Sequence, residues 1–527
     1  MMNIKQTIFA GITVFVVMAG YAAAAPANTP DRPRLILAIV VDQFREDYTT
    51  RFRKEYTGGI AELLEKGAVF PDAHQDHFPT VTAVGHATLL TGSVPATSGI
   101  IGNEWYDRQS GKVISSVEDA ETTLTGDSSA KGSSPHNLVV STVGDELKIV
   151  GGAKSKVIGI SMKDRAAILM VGRMADAAYW FDANIGGFVS SSWYESTLPV
   201  WMVDFNKKRL AEQYLGKIWK SSLNPNSPAF LELPSSPGKA FYGALAGTPY
   251  ANNVLEELAE TALHSENLGH HAAPDVLAVS FSANDALGHR VGPDAPEVEE
   301  MCVQTDRTIA RLIHAAEVQV GGPQNLLVIF TADHGVAPVP EVNAQRKLPG
   351  TRIHSTALLQ PIQARLRERF GEGEWILSDQ GASLYLNDEL IAKKGLSKSD
   401  VEDTVATTAE SLPGVARVYT RHQFEQHVAM GSTIDEYMAR GFFSERSGDV
   451  SILLDPYATH AGAGTSHGTP YDYDSHVPLI FYGWRIKPGF YTSRTGISDV
   501  APTLAFLLNV ETPSGSVGHI LSQMIGK

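Results

Sequence analysis

"LLVIFTADHG", Leu326 to Gly335, is the stretch on which the fold turns. Its opening run of leucine, valine, isoleucine and phenylalanine suits a strand buried on both faces. It ends on Asp333 and His334, an adjacent carboxylate and imidazole that are costly beside an apolar strand unless they have a partner. Four other runs share the pattern: "LILAIVVD" (35–42), "KVIGISMKD" (156–164), "DVLAVSFSAND" (275–285) and "VPLIFYG" (477–483). Between them lie helix-like stretches such as "STVGDELKIVG", "CVQTDRTIARLIHAAEVQV" and "DVAPTLAFLLNV", the last with Asp499 as cap and Pro502 in its first turn. Strands alternating with helices predict an α/β fold with a mostly parallel central sheet and helices on both faces. Asp42, Lys163, Asp285 and Asp333 each close one of the runs, and the carboxyl ends of such strands are where α/β proteins place their sites.

Composition narrows the function. The chain has 527 residues, 43% apolar and 19% charged, with a formal net charge of -15 and no lysine- or arginine-rich run, which argues against a nucleic-acid partner. Any anionic substrate must then be met by local positive charge, which metal ions supply. The N-terminus reads as an export signal: Lys5, the apolar stretch from Thr7 to Gly20, then small residues for cleavage near Ala24 to Ala27. Residues 1–25 are thus expected to be removed, leaving a periplasmic or secreted protein with no membrane segment. Cys302 is the only cysteine, so no internal disulfide is expected. Residues 26–527 read as one domain interrupted by two inserted segments, at about 182–270 and about 340–450, because the polar strand ends lie before, between and after them.

The polar residues at the run ends form a set. "NDALGH" places Asp285 and His289 at i, i+4, on one side of a helical turn. "TADHG" offers Asp333 and His334, "AGAGTSHGTP" offers His467 in a glycine-rich loop, and "VVDQF" offers Asp42. Taken singly, a strand-end aspartate is more often a cap and a lone histidine a polar contact. Together they are three carboxylates and three imidazoles, donors suited to zinc or a similar divalent ion and numerous enough for two ions. His74, His77, His86 and His476 lack such company, although "YDYDSHVP" leaves room for His476 beside the site. In "HFPTVTAVGHATLLTG" (77–92) a Pro-marked loop runs into a helix, which sets a hydroxyl at a helix N-terminus, Thr80 and Thr82 both being candidates.

The segment around Thr82, with the ordered set Asp42, Asp285/His289, Asp333/His334 and His467, resembles the alkaline phosphatase superfamily. It is most similar to the threonine-nucleophile, phosphate-irrepressible alkaline phosphatases of exported bacterial type, with nucleotide pyrophosphatase/phosphodiesterases as cousins. The resemblance selects Thr82 over Thr80 as nucleophile. It maps Asn103 in "SGIIGNEWYD" to a phosphoryl-oxygen contact, and Lys163 and Arg165 in "SMKDRAAILMVGRMADAAYWFD" to the Lys-x-Arg pair of the monoesterase branch, a stretch that on its own reads as a solvated turn. It extends through "HGTPYDYDSHVPLIF" and "DVAPTLAFLLNVETPSGSVG", and the two inserted segments match least. It implies a two-zinc phosphatase, one Zn2+ held by Asp42, Asp333 and His334 beside Thr82 and the other by Asp285, His289 and His467. Phosphate monoesters are then hydrolysed through a phosphothreonine, by a chain expected to be a monomer. The alternatives are a phosphodiesterase/nucleotide pyrophosphatase on the same site and a non-catalytic exported metal- or phosphate-binding protein. A sulfatase is disfavoured, since Cys302 lies in "EMCVQTDR" rather than in a C/S-x-P-x-R context.

Overall fold

A computed structural model of the chain describes residues 31–126, 131–152, 154–381, 383–426 and 431–526. The expected export signal lies outside the described residues. Among them no helix is long and apolar enough to cross a membrane.

The apolar runs form strands β1 (Leu35–Val41), β2 (Val157–Ser161), β3 (Ala177–Asp182), β4 (Asp275–Phe281), β5 (Leu326–Thr331) and β6 (Leu479–Gly483). The first five lie side by side in the order β5-β1-β4-β2-β3, each neighbouring pair parallel. Every residue of β1, β4 and β5 is buried whatever its parity, so both faces of the sheet are covered. Strand β6 pairs antiparallel with β5, and antiparallel strands continue the sheet beyond β3, giving eleven strands that are parallel at the centre and mixed at the margins. Beyond β3 a tight turn from Asp182 to Gly187 replaces a crossover helix and reverses the chain.

Six helices matter for the site: α1 (Thr82–Thr91), α2 (Asp164–Val171), α3 (Pro249–Ser265), α4 (Ala283–Val291), α5 (Pro296–Val320) and α6 (Val500–Leu508). Helix α1 packs on α2 and α6, helices α3, α4 and α5 pack together, and both α2 and α3 contact β2 and β4. Asp499 precedes α6 as expected, but its carboxylate makes no cap bond to that helix. It accepts instead from Gly496 N at 3.0 Å and His519 N at 2.7 Å, tying down the neighbouring loops.

Strand register determines what the sheet presents. Ser161 pairs with Ser280, Ser280 with Val40 and Val40 with Thr331. Two residues further along three of those strands stand Lys163, Asp42 and Asp333, which therefore leave the sheet at one level. The fourth strand, β4, runs on into α4, whose first turn carries Asp285.

The two segments that interrupt the alternation differ in packing. Residues 182–270 contribute Met202, Phe205, Trp219, Phe241 and Leu258 to the main core. The 340–450 stretch builds a core of its own, with Trp375, Ile362, Leu386 and Val401 buried among helices Ser355–Phe370 and Lys398–Glu410. Its four-stranded sheet runs, in spatial order, Ile376–Gln380, Ser383–Leu386, Val450–Leu454 and Val415–Thr420.

Candidate active site

Asp42, at the end of β1, meets Asp333 and His334, just past β5, with ligand atoms all within 4.8 Å of one another. All three side chains are buried. Asp333 Oδ1 accepts from Gln43 N at 3.1 Å and His334 N at 3.0 Å, and His334 Nδ1 donates to the Gly335 carbonyl at 2.9 Å. That leaves Asp42 Oδ1, Asp333 Oδ2 and His334 Nε2, three buried atoms without a hydrogen-bond partner, with Nε2 3.5 and 3.4 Å from the two oxygens. Buried polar atoms are rarely left in that condition, and a divalent cation satisfies all three at once. Burial, then the neighbouring Asp333, pushes the Asp42 carboxyl well up. Burial lowers the His334 imidazole to about 3, which keeps it neutral with a lone pair for a ligand.

The second group is Asp285, His289 and His467, again with ligand atoms within 4.8 Å. The i, i+4 spacing on α4 sets His289 Nε2 3.2 Å from Asp285 Oδ1, and His467 Nε2 lies 3.5 Å from the same oxygen. His289 Nδ1 donates to the Thr465 carbonyl at 3.0 Å and His467 Nδ1 to the Thr80 carbonyl at 2.8 Å. All three candidate histidines therefore spend Nδ1–H on a backbone carbonyl, the arrangement that fixes the tautomer of a metal-ligating imidazole. The glycine-rich loop reaches α4 because Gly464, at φ 61, leaves no side chain where a Cβ would stand 2.0 Å from the His289 carbonyl. The two groups adjoin, the rings of His334 and His467 stacking at 3.5 Å.

Lys163 joins them. Its Nζ donates to Asp42 Oδ2 and to Asp285 Oδ2, both at 2.6 Å, and lies 3.4 Å from Thr82 Oγ1. Burial opposes its charge, but Asp285 and Asp42 outweigh that and hold the ammonium protonated. Asp285 is also buried, yet Lys163, His289 and His467 keep its carboxyl well below the usual range. Thr82 is the first residue of α1, where unpaired N–H groups favour anions. Thr80 differs from it, because its hydroxyl is spent on the Thr469 carbonyl at 2.7 Å. Asn103 Oδ1 accepts from Ala83 N at 2.9 Å, which ties its side chain to the first turn of α1. Arg165 stands in the first turn of α2, two residues after Lys163, with a buried Nε that has no hydrogen-bond partner.

Two residues that sequence reasoning passed over help to build the site. Gln43, at φ 61, donates its backbone N–H to Asp333 and its amide to Asp285 Oδ1 at 2.7 Å, so it braces both groups. Its only sequence signal is adjacency to Asp42. His86 donates Nδ1–H to the Thr82 carbonyl at 2.8 Å, shares a 2.8 Å hydrogen bond with Ser280 Oγ through Nε2, and lies 3.2 Å from Asp333 Oδ2. The i, i+4 spacing from Thr82 was the available clue. His476 does not join the site. It stacks on His74 in a third group with Asp72, where Arg494 lies 3.1 Å from His74 Nε2 and already supplies the cation.

The sequence profile of the type I phosphodiesterase / nucleotide pyrophosphatase family matches residues 36–472. Alkaline phosphatase PafA of Elizabethkingia meningoseptica is 33% identical over 97% of this chain and 98% of its own length. Alkaline phosphatase PhoV of Synechococcus elongatus is 34% identical over 94% of each. The crystal structure of wild-type PafA matches with a TM-score of 0.88 at 32% identity, covering 94% of this chain and 99% of that one.

Proposed function

The chain belongs to the type I phosphodiesterase / nucleotide pyrophosphatase family and is a hydrolase of the alkaline phosphatase kind; we propose that it is exported and, as a monomer, hydrolyses small phosphate monoesters through a phosphothreonine on Thr82. The observation that carries this reading is Lys163, an ammonium bonded to both Asp/His groups and 3.4 Å from the Thr82 hydroxyl. Zn2+ suits the mixed carboxylate and imidazole donors. Held by Asp42, Asp333 and His334 and by Asp285, His289 and His467, two such ions supply Lewis acidity that lowers a hydroxyl pKa and neutralises charge on the leaving oxygen.

The chain's own residues do the rest. Thr82 Oγ1 attacks phosphorus, the bond to the leaving group breaks, and the phosphoryl group passes to Thr82 at the start of α1. Water then attacks the phosphothreonine, releasing phosphate and restoring the hydroxyl. Lys163, Arg165 and the free amide hydrogens of Asn103 hold the non-bridging oxygens, with Asn103 oriented by its bond from Ala83 N. His86 and Gln43 position Thr82, Asp333 and Asp285. Lys163 and Arg165 favour a monoester because it carries an anionic oxygen that a diester has blocked with carbon.

The Thr82→Ala variant is expected to lose turnover while retaining bound metal. Substantial residual hydrolysis by a metal-replete variant would sink the nucleophile. The family profile supports the diesterase as second reading. Rates on a monoester and a diester of the same phenol decide, and a faster diester would reverse the assignment.

A further inference from the structure

Beside His467 and Asn103 opens a cavity of about 500 Å³, within the range of small-molecule sites. It reaches the phosphoryl site at one end, through Val81, Asn103 and His467, and runs away from it along the smaller sheet, past Tyr385, Ser451 and Leu453. Its walls carry six aromatic side chains: Phe78, Trp105, Tyr385, Phe424, Phe442 and Tyr473. Tyr385, Phe424 and Phe442 all come from the 340–450 stretch. The charged residues along the wall are Glu104 and Asp474, with His460 and His467 as the bases, and no lysine or arginine lines it. Guanidiniums do stack on three of the rings, Arg421 on Phe442, Arg108 on Tyr385 and Arg446 on Trp105. Each is committed elsewhere, Arg421 and Arg108 to Asp449 and Arg446 to the carbonyls of Gly99 and Asn137.

From this we propose that the cavity is the leaving-group subsite, and that it selects monoesters of uncharged aromatic alcohols over small aliphatic ones and over those bearing a second anion. The inference rests on the phosphatase reading above. Apolar walls reward burial of a ring, while two carboxylates with no lysine or arginine penalise a carboxylate or second phosphate on the leaving group. The smaller sheet thereby acts as the specificity wall of a site whose phosphoryl-binding groups all lie outside the 340–450 stretch.

Benzyl phosphate and methyl phosphate test it, because their alcohols are close in acidity and differ in the ring. We expect kcat/KM to favour benzyl phosphate by about tenfold or more, and phosphoglycolate to fall below methyl phosphate. In Phe442→Ala the benzyl-to-methyl ratio should drop at least about threefold. Phe442 is only partly buried, but should that variant fail to fold, inhibition of the intact enzyme by benzylphosphonate against methylphosphonate gives the same preference without a mutation. Equal rates on the two esters, or phosphoglycolate preferred, would overturn the subsite and leave the phosphatase standing. If neither monoester is hydrolysed the phosphatase reading falls. Binding of the two phosphonates, measured by calorimetry, then decides the cavity: benzylphosphonate bound no tighter than methylphosphonate overturns it, and a tighter benzyl compound supports it.

Discussion

Lys163 stands where three carboxylates converge, and its two 2.6 Å bonds to Asp42 and Asp285 show how strongly that corner attracts positive charge. An ammonium so placed offers a phosphoryl oxygen a charge-assisted contact. Truncating it should therefore cost a monoester far more than a diester. Lys163→Ala is expected to lower kcat/KM for phenyl phosphate by about 10²-fold, with a loss on the matching diester of under about tenfold. Equal losses on both would mean that Lys163 serves the site's architecture and does not touch the extra oxygen. At this scale, side chains with strong chemical identity were readable: Asp42, Asp285, Asp333 and His334 are ionisable residues at the ends of apolar runs, His289 follows Asp285 by one helical turn, and His467 stands in a glycine-rich loop. Gln43 and His86 were not, because their roles come from a left-handed backbone and from a bond to the Thr82 carbonyl, and neither leaves a pattern in composition. His476 shows the converse, a histidine in suggestive surroundings that bonds to the Pro71 carbonyl instead.

Helix α1 carries the site through one close approach. A Cβ at Gly85 would stand 2.2 Å from the Asp333 carbonyl oxygen and 2.7 Å from Asp333 Cα, so the helix can lie against that backbone only with glycine there. The contact couples the element bearing Thr82 to the segment bearing Asp333 and His334. Gly85→Ala is expected to destabilise the fold by about 1–3 kcal/mol, read as a lower urea midpoint. Activity should fall further than stability, because Thr82 and Asp333 separate. A variant with native midpoint and native kcat would show that the approach is unnecessary. The elements were legible where the hydrophobic period was clear, as in β1, β4 and β5. The antiparallel placement of β6 was not, since an apolar run buried on both faces reads the same in either direction. Nor was the cap before α6, where Asp499 had a second set of partners in the loops.

Across the whole molecule the site is assembled from distant parts of the chain: His467 Nδ1 reaches the Thr80 carbonyl across 387 residues. No local pattern announces such a contact. The same assembly has a thermodynamic consequence. Asp42, Asp285 and Asp333 are all nearly or fully buried in one corner, and three buried carboxylates raise the free energy of the folded state unless cations offset them. Ions that bind the folded chain and not the unfolded one stabilise it by about 2.7 kcal/mol per site at a hundred times Kd. Chelation should thus lower the melting temperature by on the order of 5 °C for a chain of this size and abolish activity, with zinc restoring both. The shift should shrink in His289→Ala, which removes one ligand from the second group and leaves the first intact. A melting temperature unmoved by chelator, in a preparation that metal analysis shows to be stripped, would mean that Lys163 and the surrounding hydrogen bonds already balance the three carboxylates, and that ions serve the chemistry without holding the fold.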